Sequence, residues 1–397
     1  MKLSISKNIN YRFIVINIPN ILNILIPILL IPIVITSTGI EEFGRVIFYQ
    51  GIIGILLLIS ENGLNTISLS EFDKRNTNQI VFHTIVIKIL IAILLLSLII
   101  FFVPSKDNSL FLILYFLVLG QAFNVSYLYI FNKNETIYSL ILIIVKLISV
   151  SLFLIFFKDN ILIYAMFIGF TEILVGLFSL LFSGCLNKII TIKFNFDFFK
   201  LLFLRGFNYT KINLLSSGYS ITPPIYLKIF LGFEIIGIYG AVEKVYKGFC
   251  NLSAPFNLIL LGERKFKSLF DFFQQKQVKI FFLLFVFSLI IVGLFAEYFM
   301  IYLLPEVNYE TYQFSFLFSL LIPVIVFFSR IFVVNFYIKN SLEKMLLPIY
   351  LRVFLISIPI IPSLTYFFGL TGCIIGILII EIFCLFKLQL KFIKIIL

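Results

Sequence analysis

An all-α membrane protein with about twelve transmembrane helices in two six-helix bundles is the fold class this sequence predicts. Three observations predict it. Hydrophobic residues make up 61% of the chain and charged residues only 13%, with a mean hydropathy of +1.13, whereas soluble domains carry about 25% charged residues. Apolar runs near the length of a membrane span recur from end to end. Finally, a short pattern recurs at matching points of the two halves: Gly39-Ile-Glu-Glu-Phe-Gly44 and Gly232-Phe-Glu-Ile-Ile-Gly237 both read G-x-E-x-x-G. Each copy joins one apolar segment to the next, as an internal repeat requires.

The spans follow in order. The first runs from about Phe13 to Thr36 behind a basic leader (Lys2, Lys7, Arg12), and the second from Gly44 to Ser68. The third is Ile80–Val103, the fourth Leu110–Phe131, the fifth Ile137–Phe157 and the sixth Ile161–Phe182. Residues 1–184 thus form an N-terminal bundle, 185–206 a basic cytoplasmic linker, and 207–397 a C-terminal bundle. Phe207–Leu231, with Pro223-Pro224, is the seventh span, and Gly232–Leu261 the eighth. The last four are Ile280–Leu304, Tyr312–Tyr337, Met345–Phe368 and Leu370–Phe386. The first apolar segment is too long for a signal-peptide core and is expected to be retained.

Loop charge sets the expected orientation. With the N-terminus inside, the inner loops and tails hold 20 Lys/Arg, against three outside: Arg45, Lys106 and Lys158. Both termini are then cytoplasmic and the two bundles parallel. The net charge of +12 lies in loops between spans, so it indicates membrane topology and not nucleic acid.

The eighth span carries charge where lipid penalises it. Glu243, Lys244 and Lys247 stand in it, and each charge at the bilayer centre costs about 2.5–3.5 kcal/mol. Lys244 and Lys247 share a face with or beside Gly237, Gly240, Ala241, Gly248 and Asn251. Ile238, Val242, Val245, Phe249 and Leu252 lie opposite. Such a helix lines a wet cavity or a tight contact. Glu243 and Lys247 are spaced to neutralise each other, while no acidic residue stands three or four positions from Lys244. Lys146 in the fifth span is equally deep, with Ser139 and Ser149 beside it. Small or polar stripes occur on the second span (Gly44, Gly51, Gly54, Glu61, Asn65) and the sixth (Gly169, Glu172, Gly176, Ser179, Ser183). Gly120, Gln121 and Asn124 cluster on the fourth, and Gly372, Gly376 and Glu381 on the twelfth. A shared central cavity is the simplest destination for these faces.

Lys244, Lys146, Lys247 and Asn251 are therefore the candidate substrate-binding residues, suited to an anion such as phosphate. Glu172 and Glu381 are candidate ion-coupling sites, with a buried lysine pair as the alternative. Pro223 and Pro224 should kink the seventh helix. With Gly39, Gly44, Gly232 and Gly237 they are the hinge or gate candidates. No P-loop, G-x-S-x-G or H-E-x-x-H motif is present, so no enzyme activity, cofactor or metal is expected. His83, the single histidine, is expected at headgroup level. The four cysteines form no C-x-x-C and read as free thiols.

These residues also carry a resemblance. Pro27 and Pro32, the Gly39–Gly44 turn, Gly63 to Asn65 and the basic pair Lys74-Arg75 resemble the opening of the Wzx-type O-antigen flippases. Those belong to the multidrug/oligosaccharidyl-lipid/polysaccharide exporter (MOP) superfamily. Leu231-Gly232, Gly237, Tyr239, Ala241 and Lys244 are similar to the second-half signature. The departure follows the eighth span, where Pro255 is present but the loop reads LILLGERK. The resemblance implies an inner-membrane flippase of bacteria with two bundles. Its substrate would be an undecaprenyl-pyrophosphate-linked oligosaccharide, moved by alternating access and coupled to an ion gradient. Membrane lipid and the polymerase and chain-length proteins of the same pathway are the implied partners. Two alternatives stay open: a drug/cation antiporter of the same superfamily, which a cationic cavity disfavours, and an O-antigen polymerase, which should show a large outer loop with arginines.

Overall fold

The computed structural model describes residues 18, 21–22, 24–72, 76–157, 159–186, 191–261, 276–305, 307–338, 342 and 345–396. Among these every regular element is helical. The helices are α1 Ile24–Thr38, α2 Ile40–Glu61, α3 Leu64–Glu71, α4 Thr77–Ile99, α5 Asn108–Phe123, α6 Ser126–Phe131, α7 Glu135–Phe156 and α8 Ile161–Phe182. They continue as α9 Phe196–Ile221, α10 Pro223–Phe230, α11 Phe233–Leu261, α12 Lys276–Leu294, α13 Ala296–Leu303, α14 Tyr309–Ser319, α15 Ile322–Ile331 and α16 Leu346–Ile396.

The helix breaks fall where backbone chemistry demands them. Gly39 (φ 86°) and Gly232 (φ 92°) end one helix and admit the next, a conformation that costs glycine little. The second span is two helices, parted at Asn62 (φ 48°) and Gly63 (φ 59°). The fourth is parted at Asn124-Val125, and the ninth bends by 73° between α12 and α13. Gly369 (φ 59°, ψ −138°) breaks α16 at the expected boundary between the last two spans. A π-helical turn, Phe332–Ile338, closes the tenth. Pro223 and Pro224 open α10 instead of kinking a continuous helix, because their missing N–H groups are harmless in a first turn.

Seven described helices are long and apolar enough to cross a membrane, or eight if the bent α12–α13 pair is one span. α9 and α11 fall outside that set. α11 holds Glu234, Glu243, Lys244 and Lys247, and α9 mixes Arg205 and Lys211 with polar residues. Outward faces are apolar: Leu90, Ile93, Leu94 and Leu98 on α4, and Ile144, Leu147, Ile148, Leu152 and Ile155 on α7, are exposed. Faces of this size suit lipid and not water.

The described chain divides into two compact units. The N-terminal unit takes Arg45–Thr222, while the C-terminal unit takes the segment up to Gly44, which holds α1 and the start of α2, together with Pro223–Leu397. Each unit thus includes a helix from the other half of the sequence. In the N-terminal unit that helix is α9. It starts at Phe196, inside the segment expected to be a linker, because Asn195 caps it: the Asn195 side chain accepts the Phe198 N–H at 3.0 Å. The Asn62-Gly63 break fastens it. Thr210 donates to Asn62 Oδ1 at 2.8 Å, and Asn62 Nδ2 donates to the Phe203 carbonyl at 3.3 Å. A Cβ on Gly206 would strike Asn62, and one on Gly63 would strike Tyr209. Asn62 is 2% exposed, so Asn62→Ala would remove both bonds to α9 from a buried site, leaving Thr210 only the Gly206 carbonyl of its own helix. It is expected to destabilise the protein by about 1–3 kcal/mol, read as a lower midpoint of thermal unfolding in detergent.

His83 is a correction to the headgroup-level expectation: it is 0% exposed. Its Nε2 accepts the Asn195 N–H at 3.0 Å, which leaves Nδ1–H to donate to the Gln79 carbonyl at 2.8 Å. Phe194 stacks on the ring. The histidine therefore anchors the start of α9.

In the C-terminal unit the guest helix is α1, seated on α11. A Cβ on Gly248 would strike the Ile24 side chain. The two G-x-E-x-x-G turns meet here as well. A Cβ on Gly44 would strike the Phe233 carbonyl, and one on Gly237 the Ile40 carbonyl. Ile40 and Phe233 are the same position of the repeat, as are Gly44 and Gly237, so the contact is reciprocal.

Candidate functional site

In the C-terminal unit, α11 presents a polar chain inside an apolar core. Tyr239 donates its hydroxyl to Glu243 Oε1 at 3.0 Å, and Tyr246 reaches the Tyr239 oxygen at 3.1 Å. Lys247 Nζ lies 2.7 Å from the same Glu243 oxygen. The pairing expected from i,i+4 spacing is thus present, with Glu243 nearly enclosed and Lys247 half-exposed. Lys244 is half-buried on α11 within electrostatic reach of both Glu243 and Lys247. Asn251 is exposed. One intramembrane basic group had no role in the sequence reading: Arg330 on α15 donates to the Cys250 carbonyl. Glu381 on α16 is buried, and Arg330, Glu381 and Lys247 all lie within electrostatic reach of Cys250. The only signal for Arg330 was an arginine inside an apolar segment, IVFFSRIFVV.

The second polar group lies in the N-terminal unit. Lys146 on α7 is half-buried and within electrostatic reach of Glu172 on α8. This favours the lysine-pair alternative for Glu172. Lys88 on α4 is 0% exposed. Its Nζ donates to Asn65 Oδ1 at 2.8 Å and to the Gln121 carbonyl at 3.4 Å, and sits 5.6 Å from the centre of the Tyr127 ring. Asn65 Nδ2 donates to Glu61 Oε1 at 2.9 Å. Nearby, Asn124 Nδ2 donates to the Tyr138 hydroxyl at 2.9 Å.

The small-residue stripes of the fourth and sixth spans pack on each other. A Cβ at Gly120 would strike the Glu172 backbone, at Gly169 the Ile113 carbonyl, and at Gly176 the Gly120 carbonyl. These glycines let α5 and α8 pack backbone to backbone. Ser179 accepts the Val125 N–H at 3.3 Å where the fourth span breaks. Gly372 and Gly376 pack on Leu364 and Ile361 across the Gly369 break. Of the hinge candidates, Gly44 and Gly237 meet each other's turns, and Gly39 and Gly232 supply the positive φ that starts them. Lys211 and Arg352 are exposed, so long side chains there can carry their charges toward the membrane surface. Lys228 lies 3.5 Å from the centre of the Phe233 ring.

No family model and no curated protein matches the sequence. Solved structures do match over nearly the whole chain. An inward-facing multidrug resistance MATE family transporter of the MOP superfamily aligns with a TM-score of 0.65 at 11% identity, covering 92% of this chain and 94% of that one. An outward-facing structure of such a transporter gives 0.63 at 13%, covering 96% and 95%. A eukaryotic MATE transporter gives 0.60 at 14%, covering 98% and 96%. At this identity the likeness is one of fold: the chain has the fold of the MATE transporters of the MOP superfamily.

Proposed function

We propose that this chain is a membrane transporter, working by alternating access, in the multi-pass orientation that loop charge suggests, with both termini in the cytoplasm of a bacterium. The observation that carries the reading is the hydrogen-bonded chain Tyr246–Tyr239–Glu243–Lys247, with Lys244 beside it, in a helix long enough to span a bilayer. Charge held inside an apolar bundle belongs to a cargo or ion path by default. The fold supports the same reading, since its solved neighbours are titled transporters.

Two cargo classes each have a specific observation behind them. The drug/cation antiporter reading has the neighbours' titles, which name multidrug resistance. It also gains from the charge pairing, because Glu243 sits on Lys247, and Glu172 within reach of Lys146. The surplus of positive charge that disfavoured a cationic cargo is therefore smaller than the sequence suggests. The reading as a flippase for undecaprenyl-pyrophosphate-linked oligosaccharide rests on the sequence resemblance, with Lys244, Lys247 and Lys146 as the groups that would meet the pyrophosphate. Deleting the gene and probing lipid-linked units in intact and inverted vesicles separates the two. Single units trapped on the cytoplasmic face establish the flippase. Changed drug sensitivity without such units establishes the antiporter, and units that reach the outer face unjoined point to a polymerase.

A further inference from the structure

The start of α9 has three distinct faces. Phe198, Leu202, Gly206 and Thr210 are buried against the N-terminal unit. Beside them runs a ridge of phenylalanines at helical spacing: Phe196, Phe199, Phe203 and Phe207. Phe196 stacks on Phe199 with ring centres 6.3 Å apart, and Phe199 on Phe203 at the same distance. The ridge is open, with Phe196 66% and Phe207 51% exposed. On its far side Lys200 and Lys211, about three turns apart, share an exposed face, and Lys193 is exposed just before the helix. Lys211 Nζ lies 4.7 Å from the centre of the Phe207 ring, so the cationic face adjoins the ridge. Asp197 is the one acid between Lys193 and Lys211, and Glu71 holds Arg205. The open surface is therefore aromatic along one edge and cationic along the other.

The helix is also longer than a membrane requires. Its 26 residues reach about 39 Å, against a hydrocarbon core of about 30 Å, and α10 continues the same span. The overrun puts the first turns of α9 at headgroup depth. An open apolar patch rimmed by charge marks a binding surface. A phenylalanine face beside a lysine face seats a helix in the membrane interface, and lysines at that depth attract anionic headgroups. The exposed rows on α4 and α7 are apolar throughout and lack the second edge. We propose that the start of α9 binds anionic phospholipid, with acyl chains on the Phe196–Phe199–Phe203 ridge and the headgroup phosphate on Lys193 and Lys200. Because Asn195, His83 and the Asn62-Gly63 break fasten the buried face of α9, the bound lipid fixes the depth of the N-terminal unit in its leaflet.

The chain has no tryptophan, so Phe203→Trp places a single fluorophore on the ridge. The full-length variant is reconstituted in equimolar phosphatidylcholine and phosphatidylglycerol vesicles, with brominated acyl chains on one lipid class at a time. Brominated phosphatidylglycerol is expected to quench as if enriched about five-fold at the ridge, the effect of one cation near an anionic surface. The preference is expected to shrink at high salt. It is expected to vanish when Lys193→Gln and Lys200→Gln are added, both at exposed positions. Leu94→Trp, on the exposed apolar row of α4, is the control and is expected to be quenched equally by the two lipids. Should Phe203→Trp fail to fold, Phe196→Trp takes its place. Equal quenching of the ridge by both lipids overturns the proposal, as does a preference that survives the lysine substitutions. Quenching by neither lipid overturns it too: aqueous acrylamide would then reach a ridge that faces water, and fail to reach one covered by a second copy or another protein.

Discussion

Gly44→Ala is expected to destabilise the folded protein by about 1–3 kcal/mol, the range for overpacking a close contact. The added methyl would strike the Phe233 carbonyl, with the Gly237 nitrogen close behind. Both are backbone atoms of the facing turn, so no side chain can rotate away. Gly237→Ala meets the Ile40 carbonyl and is expected to cost a similar amount. Because the two contacts are reciprocal parts of one joint, the double variant should lose less than the two singles added together. Gly293→Ala is the control. Its Cβ would meet only Leu320 Cδ1, at 3.7 Å, and alanine is favoured over glycine in a helix interior by about 1 kcal/mol. That variant is expected to be neutral or more stable. The chain has no tryptophan, but its four cysteines are free and buried. A thiol-reactive dye during a thermal ramp therefore reads all of these variants directly.

Lys244→Ala has the second large expected effect, and its sign separates the possible roles. A cation in a spanning helix costs about 2.5–3.5 kcal/mol at the bilayer centre. If Lys244 serves cargo, removing it is expected to leave stability unchanged or raised while transport of an anionic cargo collapses. If it is a structural counter-charge for Glu243, stability and transport should fall together. An organic-cation cargo would instead be carried as well or better, since a like charge has left its path. Transport in proteoliposomes, beside the dye-monitored unfolding midpoint, distinguishes the three.

Individual helices were legible in the sequence because lipid enforces long apolar runs. α8 occupies Ile161–Phe182, the expected sixth span, and Gly369 breaks α16 where the last loop was expected. The start of α9 was hidden because KFNFDFFK reads as a basic linker, while its cause, capping by Asn195 and an anchor from His83, lies partly on another helix. The grouping of α1 with α11, and of α9 with the Asn62-Gly63 break, was equally hidden. Tertiary contacts at Gly248 and Gly206 decide it, and no local pattern records them. In the site, Glu243–Lys247 was legible as an i,i+4 pair. The Glu61–Asn65–Lys88 chain was not, because it joins the second and third spans. The glycine stripes were visible, but glycine serves close packing as readily as a cavity wall, and only the neighbours of Gly120, Gly169 and Gly176 show that these three pack α5 on α8.

Alternating access, as proposed above, requires the two compact units to change their relation during a transport cycle. Spin labels at Asp159 in the N-terminal unit and Phe368 in the C-terminal unit, both exposed, test it most directly. Asp159 lies in a loop, and Phe368 beside the Gly369 break, that the charge pattern puts on the outer side. Double electron–electron resonance in lipid nanodiscs should give two distance populations whose ratio changes between neutral and acidic buffer. One distance, unchanged by pH and by either class of cargo, would rule out alternating access between the two units.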